Sequence, residues 1–267
     1  MPSFKNPIMK KTLFILSLEV TMIIASCKKS EIDPVAINNV SSDYKVLVVD
    51  FTATWCPPCG QYGIPAFNKA STDYPYKIVG LGIHSADDIV KTVSAEQKTI
   101  DNFYNVTGIP TFVINTKSLG SGNTNIDLEI DWVVNTIASV GVGISKTLEG
   151  NTLKINTKTV FFSDLTGTYN LAVYVVEDGI LNMQKMSNGP AVNITHNHVF
   201  RGSANGAWGE TIVSSKNPKG VDGSYSFTIP SDVKNSSNLH VIAVIYKMSG
   251  GNPVEVTNCN ATNISGH

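Results

Sequence analysis

Charge is scarce in this chain. Only 15% of the 267 residues are charged and the formal net charge is −1, which removes any broad electrostatic case for nucleic acid as a partner. Cysteine is scarce too: Cys27, Cys56, Cys59 and Cys259 are too few for a disulfide scaffold. There is no internal repeat of fixed period and no low-complexity block. The apolar stretch near the N-terminus is too short to favour a permanent membrane span. What is present is an apolar fraction of 42%, the composition of a globular chain, over a length that accommodates two ordinary domains.

The first segment reads as an address. "MKKTLFILSLEVTMIIASC" starts at Met9 with Lys10 and Lys11, continues through an apolar region interrupted by Glu19, and stops at Cys27. A short positive flank before an apolar stretch is the pattern of a signal peptide. The tail "IASC" (24–27) resembles the lipobox of bacterial lipoproteins, which implies that Cys27 is acylated and anchors the mature protein to a membrane. Residues 1–27 are then the signal peptide and the polar residues 28–43 a tether.

Beyond the tether the pattern changes twice. In residues 44–141, "KVLVVDF" (45–51), "KIVGLGIH" (77–84) and "TFVIN" (111–115) read as strands, the first continuously apolar as in a strand buried on both faces. Residues 60–74, 86–104 and 128–139 read as helices. Alternating strands and helices predict an α/β layer around a largely parallel sheet. In residues 142–267 the helical signals vanish. Short runs rich in β-branched and aromatic residues, such as "LKINTKTVFF", "YNLAVYVV" and "NLHVIAVIYK", are separated by Gly, Asn, Asp and Ser. In "YSFTI", Tyr225, Phe227 and Ile229 share one face, the period of a half-buried strand. An all-β antiparallel sandwich of the immunoglobulin-like kind is expected there.

The motif that carries chemistry is "TWCPPCG" (54–60). A structural zinc site needs four ligands, and no second CxxC or suitably spaced Cys/His pair accompanies this one. A purely structural disulfide here closes almost no loop and makes a poor staple. The redox reading has supporting context. Cys56 follows a strand and precedes a helix, where unpaired N–H groups and the helix dipole favour a thiolate. Cys59, one turn on, is placed to resolve a mixed disulfide. Pro57 and Pro58 fix φ at the helix start and remove competing donors. Trp55 would flank the sulfurs as an apolar contact surface.

"VLVVDFTATWCPPCG" (46–60) resembles the active-site strand and turn of the thioredoxin superfamily. The resemblance implies a role for Asp50, six residues before Cys56, as the buried acid that passes protons to and from the resolving cysteine. "VTGIPTF" (106–112) is similar to the loop holding the family's cis-proline. Pro110 would then face the cysteine pair, and the backbone at Ile109 would pair with substrate. The helix proline, Pro65, stands one residue later than in the family, which suggests a small insertion or bulge. The wider pattern of lipoprotein signal, thioredoxin-like domain and C-terminal sandwich resembles the 28-kDa outer-membrane lipoprotein (Omp28-related) family of Gram-negative bacteria.

The expected function is thiol–disulfide exchange in the bacterial cell envelope, at the outer membrane, on protein or peptide thiols and disulfides and without a cofactor. The Pro-Pro spacer leans toward a reductant. The alternative is a surface receptor or adhesin that keeps the thioredoxin-like domain as a scaffold. Four further sites have a plainer and a sharper reading. His196 and His198, in "THNHVF", share parity on one expected strand and could ligate a metal, but no third ligand is identifiable and structural hydrogen bonding is the simpler role. His84 ends an expected strand at the sheet edge where α/β folds bind ligands, within possible approach of the cysteines. Cys259 reads most simply as a buried, inert thiol, with a partner disulfide or a redox relay as the sharper reading. Asp87 and Asp88 most simply cap the helix that follows them.

Overall fold

The computed structural model describes residues 1–2, 37–212 and 220–262. The expected signal peptide, Cys27 and residues 28–36 of the tether lie outside the described residues from 37 onward. Strand β1 (Val46–Thr52) is buried at every position, as its unbroken apolar run requires. It pairs in parallel with β2 (Ile78–His84), bringing Asp50 opposite Gly82 and Thr52 opposite His84. It pairs antiparallel with β3 (Thr111–Ile114), and β3 continues into the edge strand β4 (Lys117–Ser121). The sheet is therefore mixed, where a largely parallel one was expected. The loop before β3 returns the chain at the C-terminal end of β1, pairing Thr111 with Phe51, so β3 enters running the opposite way.

A π-helical turn, Cys59–Gly63, leads into helix α1 (Ile64–Asp73), with Pro65 in its first turn. A π turn accommodates one extra residue in a helix, which accounts for the late position of Pro65. Helix α2 (Ala95–Phe103) begins nine residues later than the expected start at 86. Its cap is Ser94, whose hydroxyl accepts from the Gln97 N–H at 3.1 Å, and not Asp87 or Asp88. Asp87 instead accepts from the N–H groups of Thr54, Ile89 and Val90, which holds residues 86–94 in an irregular loop. Helix α3 (Ile126–Val133) stops short of the expected 139, and Ile137 bridges Asp43.

The remainder is strand: β5 (Val140–Glu149), β6 (Thr152–Phe161), β7 (Thr168–Glu177), β8 (Ile180–Gln184), β9 (Val192–His196), β10 (Val199–Ser203), β11 (Glu210–Ile212), β12 (Val221–Thr228), β13 (Leu239–Ser249) and β14 (Asn252–Ala261). The order β12-β6-β5 makes a small antiparallel sheet, and β8 pairs with β9 alone. The large sheet runs β14-β13-β7-β10-β2-β1-β3-β4, with β11 on β7. The boundary expected between 141 and 142 thus lies inside β5, and the large sheet crosses it through the parallel pairing of Val199 with Gly82. The described residues from 37 on belong to one compact unit.

Three apolar layers follow from this sheet order. Val46, Val48, Phe112 and Ile114 face Ala70 of α1 and Ile130 of α3. Leu47, Val49, Leu81 and Ile83 face Ile100 of α2 together with Tyr174, Val176, Ile242 and Val244. The opposite faces of β7 and β13, including Val173, Val175, Val241 and Ala243, pack on Val142, Leu153 and Ile155 of the small sheet, completing the sandwich. Strands β7 and β13 are buried on both faces and so show no alternation. Strand β6, buried on one face, alternates along its length.

"THNHVF" is not one strand. β9 ends at His196, His198 takes a left-handed φ of 58°, and β10 starts at Val199. The Asp178 carboxylate accepts the His198 N–H at 2.6 Å and fixes this turn. The shared parity expected of His196 and His198 is therefore broken. Among the described residues no helix is long and apolar enough to cross a membrane.

Candidate active site

The sequence places Cys56 between the last residue of β1 and the first helical residues, Pro57 and Pro58, and the structure keeps it there. Neither proline has an N–H, so the first free donor of the turn belongs to Cys59. It points at Cys56 Sγ, 3.2 Å away. Cys56 and Cys59 form a disulfide, and both are buried among Ala53 and Ile109. Cys56 Sγ lies 3.6 Å from the Ile109 carbonyl oxygen. The Ile109–Pro110 bond is cis, and Gly63 sits below Pro110 so closely that a Cβ there would approach Pro110 Cβ to 3.1 Å. Trp55 is half exposed beside the pair, its indole N–H donating to the Ala86 carbonyl at 3.1 Å.

Asp50 occupies the centre of the sheet, paired with Gly82 on one side and Phe112 on the other. It is 7% exposed and its Oδ1 has no protein partner. Burial pushes its carboxyl up to about 7. Cys56, Cys59, Trp55, Ile109 and Pro110 thus gather beyond the C-terminal end of β1 and in the loop before β3, and Asp50 stands two residues inside that end of the strand.

His84 is buried on the same face of the sheet as Asp50, since Thr52 and His84 are register partners two residues along. Its Nδ1 lies 2.8 Å from Asp87 Oδ2, and its ring meets that of His196 edge to face at 5.4 Å. Burial pushes Asp87 up, but hydrogen bonds and charge from His84, with N–H donors from Val90 and Thr54, outweigh it and hold the carboxyl well below the usual range. Burial, and then the charge of His84, pull His196 down to about 4 against the opposing pull of Asp87, so its imidazole is neutral at pH 7. His196 Nε2 is buried without a protein partner. Asp50, Thr52, His84 and His196 line a cavity of about 560 Å³ closed by Phe67 and Ser71 of α1. Gly82 lies on its wall, where a Cβ would come to 3.2 Å from the His198 carbonyl oxygen.

His198 lines the same cavity, packs on Phe67 and has Nδ1 3.3 Å from Asp178 Oδ1. Among the described residues no group of three or more His, Cys, Asp or Glu is disposed to hold a metal ion. Cys259 is buried in the core, its Sγ 3.3 Å from the Lys45 carbonyl oxygen, and burial raises its thiol above the ordinary range. That environment makes it inert.

One functional neighbour escaped the sequence reading. Gln184, fully buried at the end of β8, donates from Nε2 to the carbonyls of Cys56 at 2.9 Å and Ala53 at 3.3 Å. Lys185 N–H donates to the Thr54 carbonyl at 2.8 Å. A segment of the strand-rich region therefore backs the cysteine turn. The available signal was parity: Gln184 shares a strand face with Ile180, a polar residue at a buried position.

Residues 35–138 match the family model described as Thioredoxin, and residues 97–264 match Outer membrane protein Omp28. Thioredoxin H4 of Arabidopsis thaliana is 29% identical over 90 residues, covering 34% of this chain and 67% of the relative. The chloroplastic Thioredoxin Y1 of the same plant is 34% identical over 87 residues, covering 33% of this chain and 44% of the relative. The solved structure of HBP35 of Porphyromonas gingivalis superposes with a TM-score of 0.67 at 17% identity, covering 84% of this chain and 76% of that one. The thioredoxin-like portion and the strand-rich portion are each accounted for, and the chain belongs to the Omp28 family of outer membrane proteins.

Proposed function

We propose that this chain is an envelope thiol–disulfide oxidoreductase, tethered through a lipid on Cys27, whose Cys56–Cys59 pair reduces disulfides of exported proteins or peptides. The observation that carries the reading is the Cys59 N–H held 3.2 Å from Cys56 Sγ at the start of a helix, with no proline N–H to compete. That donor and the helix terminus favour Cys56 as a thiolate.

In the reduced protein the Cys56 thiolate attacks one sulfur of a substrate disulfide. A Cys56–substrate disulfide forms and the other substrate sulfur leaves as a thiolate, which takes a proton from solvent. Cys59 then gives its proton to Asp50 and attacks Cys56 Sγ, expelling the second substrate sulfur as a thiolate, which also takes a proton from solvent. The substrate gains two electrons and two protons, and the protein keeps the intramolecular disulfide. The cis Pro110 and the adjacent Ile109 backbone would hold the substrate segment against Trp55. The exchange is carried by sulfur and needs no cofactor.

Alkylation of the reduced protein by iodoacetamide across pH 4–10, paired with an insulin-reduction assay, tests this. The expected result is one fast thiol titrating well below the ordinary value of about 8.5. Cys56→Ser should abolish insulin reduction, and Cys59→Ser should accumulate the mixed disulfide. An ordinary thiol pKa with no insulin reduction would instead leave the thioredoxin-like portion as a scaffold for surface binding.

A further inference from the structure

Gln184 ends β8 fully buried, and its side-chain Nε2 is ringed by three backbone carbonyl oxygens: Cys56 at 2.9 Å, Lys185 at 3.1 Å and Ala53 at 3.3 Å. A ring of acceptors admits only the NH2 end of an amide, so its surroundings fix which way the side chain faces. The other end, Oε1, is buried without a protein partner. An unpaired buried acceptor costs stability, and an apolar side chain of similar size would fill the place without that cost. The amide is explained by what its two N–H groups hold.

Two of the three carbonyls belong to the cysteine site. Ala53 and Cys56 are the ends of one tight turn, closed by the Cys56 N–H donating to the Ala53 carbonyl at 3.1 Å. Between them Thr54 is tied on both sides. Its N–H donates to Asp87 Oδ2 at 2.9 Å, and its carbonyl accepts from the Lys185 N–H at 2.8 Å. The Cys56 carbonyl also accepts the Gly60 N–H at 3.3 Å, a hydrogen bond of the helical turn that follows. Gln184 therefore joins the turn before Cys56 to the helix after it. In the oxidised protein the disulfide also fixes the two sulfurs. After reduction that covalent link is gone, and the backbone ties remain to keep Cys56 Sγ beneath the Cys59 N–H, 3.2 Å away.

We propose that Gln184, supplied by the strand-rich half of the chain, is a positioning residue of the dithiol site: its amide clamps the Ala53–Cys56 turn so that the reduced Cys56 sulfur stays beneath the Cys59 N–H as a thiolate. The inference rests on the oxidoreductase reading above and names what holds its nucleophile in place. Gln184 acts through the backbone of Cys56. A small backbone shift is enough to matter, because a hydrogen bond weakens steeply as it lengthens or bends. The charged and titratable groups on the elements around the turn are Asp50 on β1, His84 and Asp87 at and after the end of β2, Lys185 after β8, and Cys59 and Tyr62 on the π-helical turn. Substituting Gln184 leaves every one of them in the chain, so a change in the titration of Cys56 reports the clamp.

The test is the rate at which iodoacetamide alkylates Cys56 of the full reduced protein across pH, resolved by peptide mapping, in the wild type and in Gln184→Leu. In Gln184→Leu the Cys56 midpoint should rise by about 0.5–1 pH unit, so that alkylation below both midpoints slows about three- to tenfold. Insulin reduction should fall with it. Gln184→Met should behave in the same way, and it stands in if the leucine variant does not fold. Met186→Ala is the control. Met186 Sδ also lies against Gly60, but the substitution leaves the Gln184 donors, so the midpoint should not move. In the reduced wild type, the side-chain amide protons of Gln184 should exchange slowly with solvent, as enclosed donors do. An unchanged midpoint in a folded Gln184 variant, an equal rise in Met186→Ala, or Gln184 amide protons that exchange as fast as exposed ones would overturn the clamp alone. A wild type with an ordinary Cys56 thiol and no insulin reduction would overturn the oxidoreductase reading and the clamp with it.

Discussion

Asp50 shows at a single residue how a functional group is maintained against stability. The native carboxyl holds its proton up to about pH 7, while the unfolded one gives it up near 3.8. Between those values the native state binds more protons than the unfolded chain, so raising the pH lowers stability, and above about 7 the penalty is constant. Asp50→Asn escapes it. The variant should match the wild type near pH 4 and gain on it steadily to about pH 7, ending on the order of 3 kcal/mol more stable. Urea unfolding at pH 4, 5.5, 7 and 8.5 measures this, and an equal margin at every pH would show that Asp50 is not the source. Insulin reduction should fall in the same variant. Cys56, Cys59 and Trp55 were singled out in the sequence because they lie within one strand–turn–helix, and Asp50 and Pro110 through the resemblance that their two short motifs carry. Gln184 was not: it stands 128 residues from the Cys56 carbonyl that it bonds, and no local pattern reports such a distance.

Among the elements, the start of the cysteine helix is where local preference and tertiary packing disagree. Gly60 lies in the π-helical turn, and helix propensity alone favours alanine there by about 1 kcal/mol. A Cβ at Gly60 would come within 2.5 Å of the Lys185 carbonyl oxygen, 2.7 Å of Gln184 Cγ and 2.8 Å of Met186 Sδ. The first of these is backbone and cannot swing aside. Gly60→Ala should therefore destabilise the protein by about 1–3 kcal/mol, the usual cost of overpacking, with the β8–β9 hairpin displaced from the cysteine turn. Denaturant midpoints and amide protection at Lys185 check both parts, and a stabilised variant would mean the hairpin does not bear on the helix. The same contest explains which elements could be read. β1, β2 and β3 announce themselves by continuous apolar runs. Helix α2 was expected too early because Asp87, a plausible cap by sequence, spends its acceptors on a loop and on His84. "THNHVF" reads as a single strand until Asp178 bends it at His198.

For the whole molecule, the decisive feature is that β7 and β13 serve two cores at once. One face packs on the thioredoxin-like strands and the other on β5 and β6. A change of composition near residue 142 marks the end of the helices, but composition cannot say that the next strands lie back over the first sheet. The missing information was in the runs "LAVYVV" and "HVIAVIY", whose lack of alternation signals burial on two sides. A shared layer predicts shared unfolding. Leu81, on β2, and Val175, on β7, are each no more than 1% exposed and belong to different cores. Leu81→Ala should cost about 2–5 kcal/mol and Val175→Ala a smaller amount, in keeping with the fewer methyl groups removed. Each should shift one common transition. Tryptophan fluorescence, from Trp55 beside the cysteines, Trp208 packed on Tyr246 and the exposed Trp132, and far-ultraviolet circular dichroism, dominated by the strands, should change at the same denaturant concentration in the wild type and in both variants. Two separated transitions, with Leu81→Ala moving one and Val175→Ala the other, would mean that the strand-rich half folds independently. The cavity wall that His196 contributes would then persist only while the halves stay docked. Coincident transitions would mean that the cysteine turn, the buried carboxyl and the β8–β9 hairpin are maintained by one folding event, so that losing either core abolishes the redox site.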